Sequence, residues 1–405
     1  MWGKESFFKK LSFIHVETKM IYLDNSATTE ISVLAKAKMI EAIDVYGNPS
    51  SRHAMGIESR RLIDRAREQV GAALGAARPN PENLIFTSCG SEANNQAILG
   101  CLYSKDKIRR RKVITTDSEH PSVENVMQKL EKDGFEVVRL STRGGVIDEQ
   151  GFSAALDDSV ALISFMLVNN ETGACYDVKK LFGIAKRRCP EVVTHCDAVQ
   201  GFLKIPFTVK SLGADMISVS AHKIHGPKGV GALYVDPEII KMKKIIPYVI
   251  GGGQESGYRS GTENIVGIVG FGCAAEECRA KFAENCAKIT ALRNLCEQKA
   301  MEAGAKPNIP TGMRAPHVLS LTLPHIKSET MLNFLSAKGF CVSAGSACSS
   351  HSKHISSSLV GFGLSEADAD STIRVSFSEY NTEDEVLAFC KALGEGIDSL
   401  VRIKR

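Results

Sequence analysis

The sequence of 405 residues lacks several features that would assign it directly to a functional class. Its 50 Lys and Arg nearly balance its 46 Asp and Glu, and a formal charge of +4 is too small for bulk electrostatic binding of nucleic acid. The longest apolar runs, around residues 160–168 and 265–275, are too short or too interrupted by Gly to span a bilayer. With 43% hydrophobic and 24% charged residues, the composition is that of a globular protein and excludes a disordered or fibrous chain.

The chain also lacks any Cys-x-x-Cys pair, although it has 12 cysteines. Without that spacing we predict no bound metal, neither zinc nor an iron–sulfur cluster. No apolar core with a small-residue cleavage site opens the sequence, so we expect a reducing, cytoplasmic location and free thiols. Residues 1–19 are interpreted as a leader or flexible extension ahead of the first strand.

Between about residues 57 and 235, short β-branched or aromatic runs alternate with amphipathic segments. This alternation is typical of an α/β domain around a mainly parallel sheet with helices on both faces. The seven strand candidates are Leu84–Thr87, Val113–Thr116, Glu136–Leu140, Val160–Leu167, Val192–His195, Met216–Ser220 and Ala232–Val235. We therefore predict a large domain of residues 31–275 with a seven-stranded sheet.

After the glycine-rich turn at residues 251–253 the pattern changes to one long helix, predicted over about residues 265–303. Gly270–Ala275 fits a loose dinucleotide-binding pattern, but no second strand ending in an acid follows, so we interpret it as helix packing. A smaller α+β unit ends the chain, with a last helix opened by the capping box Thr382-x-x-Glu385. The predicted small domain comprises residues 20–30 and 276–405.

The sequence Ser220-Ala221-His222-Lys223 follows an apolar strand, at the sheet edge where α/β proteins bind their ligands. The amine of Lys223 can form a Schiff base with an aldehyde cofactor, while Ser220 and His222 are placed to hold a phosphate. Taken alone, Lys223 is also compatible with an ordinary solvated surface lysine.

Two further elements point to the same kind of cofactor. Asp197 follows a strand at the same predicted edge, with Gln200 three residues on. A carboxylate keeps a pyridinium nitrogen protonated, which makes pyridoxal phosphate an electron sink, although Asp197 would also suit a helix N-cap. Gly90 and Ser91 lie between a strand and a helix, where backbone amides bind phosphate or the helix is simply capped.

Four other side chains are candidates, each with a structural alternative. His120 can stack on a planar ring and move protons, or it is a structural histidine. Asn170 offers an amide to a ring hydroxyl, or it belongs to a turn. Cys348 lies in a Gly/Ser loop near histidines, the setting of a nucleophilic thiolate or of a linker. Arg374 lies within an apolar strand and calls for a carboxylate ligand or an internal salt bridge.

Through these residues, the chain resembles the cysteine desulfurases, and further motifs at residues 22–29, 47–51, 119–120 and 259–262 support the resemblance. That family belongs to the class V aminotransferase group of fold-type I pyridoxal-phosphate enzymes, and the resemblance covers nearly the whole chain after Met20. It implies a fold-type I transferase with a large and a small domain. It also implies a homodimer with shared active sites.

The resemblance assigns a role to each candidate residue. Lys223 is the cofactor lysine and base, Cys348 the nucleophile and His120 the stacking and acid–base residue. Arg374 and Asn170 bind the substrate carboxylate. The other cofactor contacts are implied for Asp197 at the ring nitrogen, Asn170 and Gln200 at the ring oxygen, and Gly90, Ser91, Ser220, His222 and the neighbouring subunit's Thr262 at the phosphate.

The implied reaction removes sulfur from L-cysteine, giving L-alanine and a persulfide on Cys348 that is passed to an acceptor protein. Iron–sulfur cluster assembly and thiolation are both open destinations, and neither a nucleic acid nor a membrane is an expected partner. Selenocysteine lyase or another class V lyase or transaminase remains an alternative, because such enzymes share the cofactor residues. Cys89 and Gly90 depart from the Gly-Ala or Gly-Gly common in relatives.

Overall fold

The structure is a computed structural model, and it describes residues 20–104, 110–345 and 355–401. Its strands are β1 Ile21–Tyr22, β2 Leu84–Thr87, β3 Lys112–Thr116, β4 Glu136–Leu140, β5 Val160–Met166, β6 Val193–Asp197, β7 Met216–Ser220, β8 Gly231–Val235, β9 Lys306–Pro307, β10 Val318–Thr322, β11 Phe340–Cys341, β12 Ser343–Ala344 and β13 Thr372–Ser376. Its helices are α1 Val33–Ile43, α2 Ala54–Leu74, α3 Gly90–Leu102, α4 Pro121–Lys132, α5 Glu149–Ala155, α6 Val178–Arg188, α7 Val209–Leu212, α8 Pro237–Lys241, α9 Ile265–Ala280, α10 Phe282–Glu302, α11 Ser328–Ala337, α12 Ser357–Phe362, α13 Glu366–Asp370 and α14 Glu383–Ser399.

A seven-stranded, mostly parallel sheet confirms the predicted α/β fold. Its strand order is β2-β8-β7-β6-β5-β3-β4, and only the pairings of β8 with β2 and β7 are antiparallel among its strands. Side chains alternate across it, so Leu84 and Phe86 enter one hydrophobic core with α2 and α9, whereas Ile85 enters another with α3 and α4. Both faces are therefore covered by helices, as the sequence pattern predicted.

A third hydrophobic core gathers the C-terminal elements. It is built mainly from β10, β13, α10, α11 and α14, and it also includes Leu23 from the N-terminal segment. The short strand β1 pairs in parallel with β11 beside this core. The proposed domain boundaries remain a prediction, although this core is separate from the two that cover the large sheet.

The prediction of one long helix over residues 265–303 is wrong, because the helix is interrupted at Lys281, which separates α9 from α10. Lys281 has φ −107° and ψ 15°, outside helical geometry. The cause is tertiary: Ile268 and Phe271 of α9 pack in the core of the large sheet, whereas Ile289 and Leu292 of α10 pack in the C-terminal core. One straight helix cannot place its apolar residues in both cores.

The glycines of the Gly270–Ala275 motif confirm the interpretation as helix packing. A Cβ atom on Gly272 would lie 2.7 Å from the Cα of Ala66, and one on Gly270 would lie 2.7 Å from the Cγ of Met39. These glycines let α9 approach α1 and α2 closely. In the part of the chain that the structure describes, no helix is long and apolar enough to cross a membrane.

Candidate active site

One cavity of about 400 Å³ brings together most of the predicted site residues. Of the candidates, it is lined by Gly90, Ser91, His120, Asn170, Asp197, Gln200, Ser220, His222, Lys223 and Arg374. The cavity forms where the carboxyl ends of neighbouring parallel strands meet, which is the usual ligand edge of such sheets. Thr262 is exposed and is not among the lining residues, and Cys348 lies outside the described residues.

Lys223 is held at the cavity by backbone carbonyls of the N-terminal segment. It ends the short helical turn Ala221–Lys223 after β7, and its Nζ donates to the carbonyl oxygens of Ser26 at 2.5 Å and Ala27 at 2.8 Å. These contacts exclude the reading of Lys223 as a solvated surface lysine. Sequence reasoning did not foresee the two acceptors, because a backbone carbonyl carries no residue signature.

Asp197 ends β6 and is almost fully buried, with 6% of its surface exposed. Its Oδ2 accepts a hydrogen bond from Asn94 Nδ2 at 2.7 Å, and its Oδ1 accepts one from the Val199 amide at 3.0 Å. The carboxylate is thus oriented from two sides. Asn94 was missed by the sequence analysis, although it lies one turn after Gly90 on α3, a spacing that brings both residues to the same helix face.

His120 forms the N-cap of α4, directly before Pro121. Its Nδ1 accepts from the Ser122 amide at 3.1 Å, so in the neutral ring the proton is on Nε2. Burial lowers the pKa of His120, and the charge of Lys223 acts in the same direction, whereas Asp197 opposes them. A neutral ring suits stacking on a planar ligand and proton transfer through Nε2.

The start of α3 has the properties of a phosphate site. The amide of Glu92 donates to Cys89 Sγ at 3.4 Å, whereas no partner is seen among the described residues for the amides of Gly90 and Ser91, which begin the helix. A Cβ atom on Gly90 would lie only 2.8 Å from Val199 Cγ2. Ser220 is 1% exposed, and its hydroxyl oxygen has no hydrogen-bond partner among the described residues. Such an orphaned buried hydroxyl beside a helix start fits a bound anion.

His222 and Gln200 complete the same side of the cavity. The Nδ1 atom of His222 lies 3.2 Å from Thr28 Oγ1, and burial together with Lys223 and Lys228 lowers the pKa of this ring to about 4. His222 is therefore neutral at pH 7 and acts as a hydrogen-bonding group. Gln200 donates from Nε2 to the Ser26 carbonyl at 2.9 Å. Gln200 and Lys223 therefore both bind the N-terminal segment that contains Ser26.

Arg374, on β13, forms the internal salt bridge that was one of the two predicted explanations for its buried guanidinium, and the carboxylate ligand stays a prediction. Its Nη2 bonds Asp24 Oδ1 at 2.8 Å, and its Nη1 donates to the Asn170 carbonyl at 3.0 Å. Its Nε is buried without a hydrogen-bond partner among the described residues, so donor capacity remains. Beside it, burial raises the pKa of Glu171 to about 7, although Ser356 and Arg374 oppose the shift.

The fold and this cavity define an α/β enzyme of the fold-type I kind, and comparison with known proteins agrees. Residues 21–389 match the family described as aminotransferase class-V. A cysteine desulfurase from Trichormus azollae is 38% identical over 385 residues, which are 94% of each chain. Of the solved structures, a NifS-like protein aligns with a TM-score of 0.87 at 36% identity, covering 94% of this chain and all of its own. SspA, solved in complex with cysteine, aligns at 0.77 with 32% identity over 90% of this chain and 100% of its own.

These similarities show that the chain belongs to the class V aminotransferase family. Its predicted resemblance to the cysteine desulfurases within that family is confirmed over nearly the whole chain.

Proposed function

We propose that this protein is a pyridoxal-phosphate-dependent cysteine desulfurase, which converts L-cysteine to L-alanine and retains the sulfur as a persulfide on Cys348. The observation that carries the proposal is the shared cavity. It is lined by the half-buried amine of Lys223, the buried carboxylate of Asp197, the orphaned buried hydroxyl of Ser220 beside the start of α3, and the buried guanidinium of Arg374. The similarity to cysteine desulfurases supports the choice of substrate.

The residues present fit pyridoxal phosphate. Lys223 would hold its aldehyde carbon, Asp197 its ring nitrogen and His120 one face of the ring. The phosphate would lie at the start of α3, with Gly90, Ser91, Ser220 and His222 around it. When bound, the cofactor supplies an electron sink that weakens bonds at the Cα and Cβ atoms of an amino acid.

The chain's own residues then bind the substrate and move its protons. Arg374 and the amide of Asn170 bind the substrate carboxylate, which orients the amino acid in the cavity. Lys223 removes the proton from the substrate Cα through Nζ, and the carbonyls of Ser26 and Ala27 orient that amine. His120 exchanges protons through Nε2.

Sulfur transfer requires a thiolate at the substrate Sγ. Cys348 attacks that atom, the bond between Sγ and Cβ breaks, and Cβ takes up a proton as alanine is formed, leaving a persulfide on Cys348. The described ends of the segment that contains Cys348 support this role. Ser356 donates to Glu171 Oε2 at 2.5 Å, and a Cβ atom on Gly345 would lie 2.6 Å from the same oxygen, so both ends lie at the cavity wall.

The proposal extends to the assembly and the destination of the sulfur. Thr262 is exposed on this chain, which suits a contact with the phosphate of a partner subunit in a homodimer with shared sites. A sulfur-acceptor protein takes the persulfide sulfur, for iron–sulfur cluster assembly or thiolation. We also propose a cytoplasmic location, because the cysteines of the described residues are free thiols, the state that a reducing compartment maintains.

The test follows alanine and the persulfide together. Protein loaded with pyridoxal phosphate should form alanine from L-cysteine, release sulfide when a reductant is present, and gain the mass of one sulfur atom on the peptide that contains Cys348. Lys223→Ala should abolish alanine formation. Cys348→Ser should retain cofactor binding and lose the persulfide, whereas the control Cys341→Ser should retain both.

Two outcomes would contradict the proposal. Unchanged alanine formation in Cys348→Ser would exclude this residue as the nucleophile. Rapid turnover of selenocysteine that is indifferent to Cys348→Ser, or amino transfer to a keto acid, would favour selenocysteine lyase or a transaminase instead.

A further inference from the structure

The carboxylate subsite around Arg374 contains two acids before any substrate enters. Asp24 bonds the guanidinium directly, and the guanidinium, which is 3% exposed, also donates to the carbonyl of Asn170, the residue before Glu171, at 3.0 Å. Glu171 itself is only 7% exposed. Both oxygens of Asp24 are occupied, Oδ1 by Arg374 and Oδ2 by the hydroxyl of Ser343 at 2.7 Å. Among the residues that the structure describes, the subsite therefore holds one cation and two carboxyl groups.

A substrate carboxylate adds a third negative group to this single guanidinium. An uncompensated charge in a water-poor site is strongly unfavourable, so one of the two resident acids has to be neutral when the substrate is bound. Asp24 is bonded directly to Arg374 at 2.8 Å, which favours its charged form. The hydrogen bond that Glu171 receives comes from the neutral hydroxyl of Ser356, a much weaker reason to stay charged.

The remaining ionisable groups of the cavity do not remove this excess of negative charge. In the cofactor-loaded enzyme Lys223 would hold the aldehyde carbon and carry no free ammonium group, and Asp197 adds a further carboxylate. Burial lowers the pKa of His120, so its ring adds no positive charge at pH 7. Burial also raises the pKa of Glu171 to about 7, so this acid accepts a proton near neutral pH.

We propose that Glu171 takes up a proton when a carboxylate binds at Arg374, and that this buried acid thereby sets the pH range in which the enzyme holds its substrate. The inference rests on the proposed function, because that function assigns the substrate carboxylate to Arg374. Below pH 7 the neutral acid is already present, and binding is strong. As the pH rises through about 7, Glu171 loses this proton in the free enzyme. Binding of the carboxylate then requires Glu171 to take the proton up again, so the affinity falls.

The test uses propanoate, a carboxylate with no group that titrates between about pH 6 and 9. With cofactor-loaded enzyme, its inhibition constant against L-cysteine should be constant below about pH 7 and rise about tenfold per pH unit above it. Glu171→Gln keeps the size of the side chain and an oxygen that accepts from Ser356, and its inhibition constant should not vary with pH. Glu119→Gln is the matched control and should retain the wild-type slope, since this second buried acid bonds Thr116 and the Met166 amide.

Equal slopes in the wild type and Glu171→Gln would overturn the inference. Calorimetry of the wild type in two buffers of different ionisation enthalpy gives a second measurement that needs no variant. It should find uptake of about one proton per propanoate at pH 8, and no uptake would also overturn the inference. Failure of the proposed function is distinguishable, because the enzyme would then form no alanine at any pH whatever the calorimetry finds.

Discussion

The buried ion pair between Arg67 and Glu255 offers a sharp test of what supports the end of the cavity at Gly90, where we propose that the phosphate binds. Arg67 is 1% and Glu255 3% exposed, and their side chains form two parallel hydrogen bonds of 2.8 Å. Glu255 also accepts from the Phe86 amide at 2.8 Å, and Arg67 donates to the Leu84 carbonyl. Both backbone groups belong to β2, the strand that leads into Gly90.

Glu255→Gln should destabilise the protein strongly. The amide retains an acceptor for Phe86, but the charge of Arg67 then lies buried without a counter-charge. Breaking a buried pair from one side typically costs about 3–5 kcal/mol in free energy of unfolding. Urea unfolding of the apoprotein, followed by circular dichroism, measures the loss as a lower midpoint with an unchanged slope.

The double variant Arg67→Met with Glu255→Gln separates the ion pair from simple packing. Removing both charges should cost less than the sum of the two single losses, with a coupling energy of at least about 2 kcal/mol. If the two single losses instead add to the double loss, the charges do not depend on each other, and the assignment of Glu255 as the counter-charge of Arg67 is wrong.

Two further variants test the phosphate site and the helix packing. Ser220→Ala should weaken binding of pyridoxal phosphate about fivefold, which is the effect of one lost hydrogen bond. The stability of the apoprotein should stay unchanged, because the hydroxyl has no protein partner among the described residues. Equal affinity of the variant and the wild type in a fluorescence titration would contradict a phosphate contact. Gly272→Ala should lower the free energy of unfolding by about 1–3 kcal/mol, since its Cβ would meet the backbone of Ala66. Gly183→Ala on α6 is the control and should not destabilise the protein, because the nearest atom is 3.5 Å away on the flexible side chain of Arg187. Equal midpoints in thermal unfolding of Gly272→Ala and the wild type would refute the close packing.

The sequence was sufficient to predict the residues that leave the parallel strands, because the topology itself gathers them. Asp197 ends β6 and Lys223 follows β7, which are parallel neighbours in one sheet, so both residues had to lie at the same edge of that sheet. Contacts that depend on tertiary placement could not be predicted in this way. Asn94 reaches Asp197 over 103 positions, and Lys223 reaches the carbonyl of Ser26 over 197.

The break at Lys281 shows a different reason for a missed feature. The charged residues after position 275 have good helix propensity on both sides of the break, so local pattern gives no reason to stop. Two separate cores decide where the chain turns. The environment of Glu171 was missed for a related reason. Ser356 bonds Glu171 from 185 positions away, Arg374 bonds the neighbouring Asn170 from 204 positions away, and no local motif records their convergence.

The N-terminal segment at residues 24–29 joins the two halves of the site. Asp24 binds Arg374 of the C-terminal sheet, while Ser26 and Ala27 bind Lys223 and Thr28 contacts His222 at the edge of the large sheet. The Asn25 amide also bonds the Ser376 carbonyl on β13. The amine of Lys223 and the guanidinium of Arg374 belong to elements of different cores, so this hexapeptide fixes the distance between these two groups. A change in its backbone therefore alters both subsites together, which a change in either core alone does not.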